Sequence, residues 1–93
     1  MVATFIRETP INFKEIKNAY HHKNWEDVYK IAHRLKPNFM MLGMKSQQNI
    51  AANIEKLIKT ENYSSKTIFE LIEQLESAAQ QAYPILLEKL RQV

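Results

Sequence analysis

One short stretch, IAHRLKPNFMMLGM at residues 31–44, contains the side chains best suited to chemistry. It places His33 in a basic, methionine-rich helical pattern, with Lys36 three residues later and Pro37 four residues later. A neutral imidazole nitrogen is a good nucleophile, and an ammonium group three residues along a helix can lie over the outer ring nitrogen. A cation in that position disfavours a protonated ring but favours an anion attached to the ring. The spacing therefore predicts a nucleophilic histidine that carries an anionic group.

Pro37 is a backbone defect placed directly beside this histidine. It lacks the N–H that would bond the carbonyl of His33 in a regular helix. Its ring also replaces a longer side chain that would lie across the imidazole, and it discourages helical geometry at Lys36. We therefore predict that the His33 carbonyl lacks its helical partner and that the helix bends or adopts irregular hydrogen bonding here. Such a defect would open space around the histidine.

The elements that position these residues are predicted from the apolar pattern. Spacings of three and four run through almost the whole chain, and no alternating segment with flanking turn residues predicts a strand. We predict an all-α protein, an antiparallel up-and-down four-helix bundle with an extra short N-terminal helix or turn. The extra element covers residues 4–8, and Thr9 and Pro10 then resemble the cap and first turn of a helix that reaches about His22.

The helix that carries His33 has clear start and stop signals. Asn24 is the predicted N-cap, and the carboxylates of Glu26 and Asp27 complement the helix dipole in the first turn. Gly43, the only glycine, marks the end. His33 lies at the flank of the apolar stripe and should be half exposed. The stripe consists of Trp25, Val28, Ala32, Leu35, Phe39 and Leu42.

Two further helices are predicted, over residues 46–59 and 65–91, joined by the polar turn TENYSS. Pro84 falls inside the last helix and should bend it without ending it, because the apolar pattern resumes in phase.

Length and composition limit the class of protein. The 93 residues, 45% hydrophobic and 25% charged, are sufficient for a single folded domain over residues 1–93 with one core. The chain has no cysteine, which excludes disulfides, thiol catalysis and thiolate metal sites. The first residues, MVATFIRETP, lack the features of a signal peptide, and no apolar run is long enough to span a membrane. We therefore expect a cytoplasmic protein without membrane contact.

Together with this length and helix pattern, AHRLKPNFMMLGM resembles the signature of the histidine-containing phosphotransfer (HPt) domain of multistep two-component phosphorelays. In that family a phosphorylatable histidine is followed by lysine after three residues, commonly by glycine after four, and by glycine after ten. His33, Lys36 and Gly43 match this pattern, whereas Pro37 replaces the common glycine. A glutamine often found on the neighbouring helix is replaced by Glu55, to which we assign no hydrogen-bonding role.

The resemblance implies that His33 exchanges a phosphoryl group with an aspartate of a response-regulator receiver domain, in a relay that includes a hybrid sensor histidine kinase. Lys36 would stabilise the phosphate, and Pro37 and Gly43 would set the geometry of the site. The domain would be a monomeric phosphocarrier without autonomous catalysis, and it would need no cofactor because the receiver supplies magnesium. The residues predicted to dock the receiver are Lys30, Arg34, Met40, Met41 and Met44, with Lys45 as a further steering cation.

Other classes of protein remain open. The main alternative is a helical adaptor in which His33 never carries phosphate. A nucleic-acid binder is less favoured, because the net charge is only +3 and basic residues alternate with acids, as in NIEKLIKTE. His21 and His22 project about 100° apart on a helix and have no third ligand at metal spacing, so we predict no metal site.

Overall fold

The computed structural model describes residues 2–61 and 63–91, and these residues form four α-helices. The helices are α1 (Val2–His21), α2 (Trp25–Met41), α3 (Lys45–Lys59) and α4 (Ser65–Arg91). No strand occurs in the described residues, so the prediction of an all-α protein is confirmed. Both α1 and α3 pack against α2 and α4, so the four helices surround one core. None of these helices is both long and apolar enough to cross a membrane.

The start of the chain differs from the prediction. α1 runs from Val2 to His21 without a break, so the separate short element over residues 4–8 and the helix start at Thr9 are wrong. Pro10 lies inside the helix and its side chain is exposed, while the buried residues Phe5 and Phe13 lie on either side of it in the chain. Because the buried face continues in phase past the proline, packing compensates for the lost hydrogen bond.

α2 begins and ends as its sequence predicts. The Asn24 side chain caps the helix, because its Oδ1 accepts a hydrogen bond of 3.3 Å from the N–H of Asp27. At the other end Gly43 has φ +72°, its N–H donates to the Met40 carbonyl at 3.0 Å, and the Met44 N–H donates to the Phe39 carbonyl at 2.9 Å. These two bonds form a Schellman motif, which needs a residue in the left-handed conformation at the position of Gly43.

α3 and α4 also fall where they are predicted, with α3 starting one residue earlier, at Lys45. Ser64 caps α4, since its Oγ accepts a hydrogen bond of 3.2 Å from the N–H of Thr67. Pro84 lies inside α4, and the helix continues past it to Arg91, which confirms that the proline does not end the helix.

The core is built from one apolar face of each helix. In α2, Val28, Ala32, Leu35 and Phe39 are fully buried, as the predicted stripe requires. Phe5 near the start of α1 contacts the rings of Phe39 in α2 and Tyr83 in α4. Near the opposite end of α1, Tyr20 contacts two aromatic rings, one from each of the same two helices. The core therefore extends along the whole length of α1.

Candidate functional site

His33 lies in the middle of α2, and its side chain is 68% exposed. The neighbouring residue Ala32 is fully buried, so the backbone at His33 is fixed by packing although its own side chain projects into solvent. The prediction that His33 lies on the flank of the stripe is confirmed, but the side chain is more exposed than the predicted half. A partner molecule can therefore reach the imidazole without any rearrangement of the core.

Glu55 of α3 contacts the imidazole across the helix interface. Its Oε2 lies 3.1 Å from Nδ1 of His33, and the Glu55 side chain is only 10% exposed. An ionised carboxylate can only accept hydrogen bonds, so this contact requires a hydrogen on Nδ1. A neutral His33 ring then has its lone pair on Nε2. Glu55 therefore forms a hydrogen bond to the imidazole, a role that the sequence alone did not assign to it.

The other oxygen of Glu55 faces Lys36. Nζ of Lys36 lies 3.2 Å from Oε1, and the lysine side chain is 31% exposed. The contact is an ion pair without hydrogen-bond geometry, because buried Oε1 has no hydrogen-bond partner among the described residues. One buried carboxylate therefore contacts both the imidazole and the ammonium group. In this state Lys36 pairs with an acid of its own chain, whereas the sequence predicted a cation facing the outer nitrogen of the ring.

Pro37 does not change α2 from an α-helix to another type of helix. Residues 33–41 remain α-helical, including Lys36 and Pro37, so the predicted change to irregular hydrogen bonding does not occur. The missing N–H of proline still leaves the His33 carbonyl without its usual donor. Pro37 is exposed, so its ring adds no bulk to the core beneath the site.

The methionines after His33 divide into two groups. Met40 and Met41 are 56% and 47% exposed, although both lie near the end of a helix whose other face is buried. Met44 is half-buried and packs against the core. The exposed apolar surface about two turns after His33 on α2 therefore includes Met40 and Met41, while Met44 packs beneath the helix end.

Two of the three predicted steering cations form ion pairs within the chain. Lys30 pairs with Glu26 one turn earlier on α2, at 3.3 Å. Arg34 reaches across to α1, where its Nη1 lies 3.2 Å from the carboxylate of Glu15 and donates to Asn12 at the same distance. Arg34 therefore links α1 to α2, a structural role that its position beside His33 did not indicate. Lys45 is exposed and forms no ion pair among the described residues.

No metal centre is evident in the described part of the chain, where no three His, Asp or Glu side chains are grouped to hold an ion. His21 and His22 are both exposed, and Nδ1 of His22 lies 2.8 Å from the Asn18 carbonyl of its own helix. These two histidines lie at the end of α1, outside the cluster of His33, Lys36 and Glu55.

This cluster defines the class of site. An exposed imidazole, with one ring nitrogen held by a carboxylate and an ammonium group nearby, can accept and donate a group at its other nitrogen.

Comparison with known proteins agrees with this class. The profile of the Hpt domain family matches residues 1–92, essentially the whole chain. The chain therefore belongs to the Hpt domain family, whose members perform histidine phosphotransfer in two-component phosphorelays. No curated protein and no solved structure matches the chain significantly. Hpt domains are phosphocarriers that interact with response-regulator receiver domains.

Proposed function

We propose that His33 is the phosphoacceptor of this domain and that Nε2 is the reacting atom. The observation that carries the proposal is the 3.1 Å contact between Nδ1 and the Glu55 carboxylate on a side chain that is 68% exposed. His21 and His22 are exposed as well, but neither has a carboxylate holding one ring nitrogen among the described contacts. His33 is thus the histidine whose tautomer is set for attack by Nε2.

The proposed reaction exchanges one bond for another. The Nε2 lone pair attacks the phosphorus of an aspartyl phosphate on the receiver, a P–N bond forms, and the P–O bond to the aspartate breaks. The electron pair leaves with the aspartate oxygen, which becomes a carboxylate. Phosphoryl transfer depends mainly on alignment and on charge stabilisation, so a small domain with one nucleophile suffices. Magnesium belongs to the acidic pocket of the receiver, and the domain needs no cofactor of its own.

Lys36 supplies positive charge for the transferred group. Its ammonium lies 3.2 Å from Glu55 Oε1, but one-third of the side chain is exposed and the contact lacks hydrogen-bond geometry. A phosphoryl group on Nε2 brings negative charge to the same surface, and the flexible lysine can turn toward it. Lys36 therefore stabilises phosphate without forming a bond to it. Gly43 and Pro37 serve the geometry of the site, by ending α2 and by leaving the surface beside His33 uncrowded.

The surface that docks the receiver is centred on His33 and includes Met40 and Met41. Both methionines are about half exposed, and their flexible side chains suit a surface that accepts more than one receiver. Arg34 and Lys30 contribute at the edge of this surface, where their pairing with acids reduces their net charge. Lys45 and Met44 lie beyond the end of α2. A hybrid sensor histidine kinase is the proposed source of phosphate in the relay.

Residues 1–93 form one domain, in which successive helices alternate in direction as an up-and-down bundle. This is supported by the contacts of Phe5 near the start of α1 with residues near the ends of α2 and α4. A single nucleophile requires no second copy, so the domain is a monomer. It acts in the cytoplasm, where receivers are found, and has no nucleic-acid or membrane partner.

The test is transfer of labelled phosphate from a phosphorylated receiver in the presence of magnesium. The protein should acquire one phosphoryl group that is lost in acid and survives alkali, as expected for a phosphoramidate, and it should not label itself from ATP. His33→Gln should abolish labelling and retain the helical circular dichroism spectrum, because residue 33 is outside the core. His21→Gln, a matched change at an exposed histidine of α1, should leave labelling intact.

A helical adaptor would give the opposite result. Partner signalling would survive His33→Gln, and the protein would bind receivers without acquiring phosphate. Labelling that moves to His21 or His22 would also contradict the assignment of His33.

A further inference from the structure

Glu55 of α3 is held against the ring of His33 by the packing of the helix interface. Its side chain is 10% exposed and belongs to α3, so it is held by the helix interface and cannot easily move away. Oε2 lies 3.1 Å from Nδ1 of His33, and buried Oε1 has no hydrogen-bond partner among the described residues. The buried carboxylate thus accepts a hydrogen bond at only one of its two oxygens. Loss of the Nδ1 hydrogen would remove that bond as well.

The state of Nδ1 decides how reactive a phosphohistidine is. Before transfer the neutral ring carries its hydrogen on Nδ1 and its lone pair on Nε2. After Nε2 has attacked phosphorus, the ring keeps that hydrogen and carries a positive charge. If Nδ1 then releases the proton to water, the ring becomes a neutral and more stable phosphohistidine. If Nδ1 keeps the proton, departure of the phosphoryl group leaves a neutral imidazole, which is a far better leaving group than an imidazolide anion.

This inference rests on the proposed function of His33. We propose that Glu55 keeps the proton on Nδ1 of phospho-His33, so that the domain holds its phosphoryl group in a readily transferred form. A charge-assisted hydrogen bond from the cationic ring to a buried carboxylate is stronger than a neutral one. Transfer in either direction then needs no proton exchange with water, since the Nδ1 hydrogen stays in place throughout. The domain is therefore a fast relay and a poor store of phosphate.

The other charged groups around His33 do not replace this effect. On α2, Glu26 and Lys30 share the surface of His33 but pair with each other at 3.3 Å, and Lys36 disfavours a cationic ring. On α3, Lys56 and Lys59 line a cleft of about 240 Å³ beside Glu55, and they add positive charge there. Among these groups only Glu55 combines negative charge, burial and contact with Nδ1.

The experiment compares wild type with Glu55→Gln, a change of nearly equal shape that removes the negative charge. Both proteins are phosphorylated with phosphoramidate, a small donor that needs no receiver. Loss of the phosphoryl group is then followed by phosphorus NMR between pH 6 and pH 10. Nitrogen NMR of labelled His33 at pH 8 reports directly whether Nδ1 carries hydrogen. Glu26→Gln is the matched control, since it removes an exposed acid from the same surface without touching the ring.

We expect the labile phosphohistidine, the form with hydrogen on Nδ1, to persist to higher pH in wild type than in Glu55→Gln. The profile of the variant shifts to lower pH by about one unit, so that its phosphohistidine lives about tenfold longer between the two midpoints, the factor expected for one charge-assisted hydrogen bond. Glu26→Gln follows wild type. In wild type the nitrogen spectrum shows Nδ1 protonated at pH 8, a readout that a merely structural role of Glu55 would not produce.

Two results would overturn the inference. One is an unchanged lifetime profile in a folded Glu55→Gln protein. The other, which needs no variant, is a phosphorylated wild type whose Nδ1 carries no hydrogen at pH 8. In both cases His33 still accepts phosphate and the proposed function stands. Failure of His33 to accept a phosphoryl group from any donor overturns the proposed function and this inference together.

Discussion

The two ring nitrogens of His33 have separate roles in the proposed reaction. Nδ1 contacts Glu55 at 3.1 Å, and Nε2 is the nitrogen that reacts. Lys36 contacts the same carboxylate, because its ammonium lies 3.2 Å from the second oxygen of Glu55. The three side chains therefore form one contact unit, in which a change at any member alters the electrostatic surroundings of the other two.

Replacing Lys36 with alanine should slow transfer without preventing it. Lysine supplies charge and not the bond-forming atom, and its side chain is partly solvated, so we expect about a tenfold lower rate of transfer from a phosphorylated receiver. The rate is measured by rapid-quench labelling, with Lys66→Ala, an exposed lysine in the first turn of α4, as control. A Lys36→Ala protein that transfers at the wild-type rate would remove Lys36 from the mechanism.

Much of this unit lies beyond what a sequence pattern can predict. His33 and Lys36 are three residues apart on one helix, so helical geometry alone places them together. Glu55 is 22 positions away from His33, and its contact depends on how α2 and α3 pack against each other. The same is true of Arg34 and Glu15, which are joined across α1 and α2. Lys30 and Glu26 could have been paired from the sequence, since they are four residues apart on α2.

At the scale of the elements, the helix ends set the length of α2 and so the position of the site along the bundle. Gly43 ends α2 with φ +72°, and Lys23 and Glu61 adopt left-handed conformations with φ 55° and 56° after α1 and α3. Only the first of these positions is occupied by glycine. The three helix ends therefore share one backbone conformation. A side chain in this conformation costs about 1 kcal/mol, so Lys23 and Glu61 are strained and Gly43 is not.

Gly43→Ala should therefore lower the free energy of unfolding by about 1 kcal/mol. The cost comes from backbone strain alone, because a Cβ at residue 43 would meet no atom within 4 Å. Lys23→Gly should do the reverse and stabilise the domain by up to about 1 kcal/mol. Urea unfolding measures both changes, and a destabilising Lys23→Gly together with a neutral Gly43→Ala would contradict this account of the helix ends.

The prolines show where local patterns fail at this scale. Pro84 was expected to leave its helix continuous because the apolar pattern resumes in phase, and the same reasoning applies to Pro10 in α1. Thr9 and Pro10 nevertheless look like a helix start, since proline is favoured in a first turn. Burial of Phe5 ahead of the proline decides the outcome, and only the packed bundle reveals that burial.

At the scale of the whole molecule, one core connects the site to both ends of the bundle. Tyr83 of α4 contacts Phe5 of α1, far along the chain from His33. Burial of its phenol, and to a lesser extent the charge of Glu76, raises the pKa of Tyr83 from 10.0 to about 12. The folded protein therefore favours the neutral phenol, and ionisation of the phenol destabilises the folded state.

This shift predicts a pH dependence with a definite sign. Below pH 10 the phenol is protonated in both the folded and unfolded states, so its contribution to stability is fully present. Between pH 10 and pH 12 the unfolded chain ionises first, and the free energy of unfolding falls. Urea unfolding across this range should show a smaller fall for Tyr83→Phe than for wild type. Parallel curves for the two proteins would show that Tyr83 does not contribute.

The central claim is that the phosphoryl group is carried by Nε2 of His33, and the most direct measurement is NMR of the phosphorylated protein with labelled histidine. Coupling between phosphorus and nitrogen identifies both the residue and the ring position that carry the group. The account predicts coupling to Nε2 of His33, with His21 and His22 unmodified. Coupling to Nδ1 of His33, or to either of the other two histidines, would contradict it.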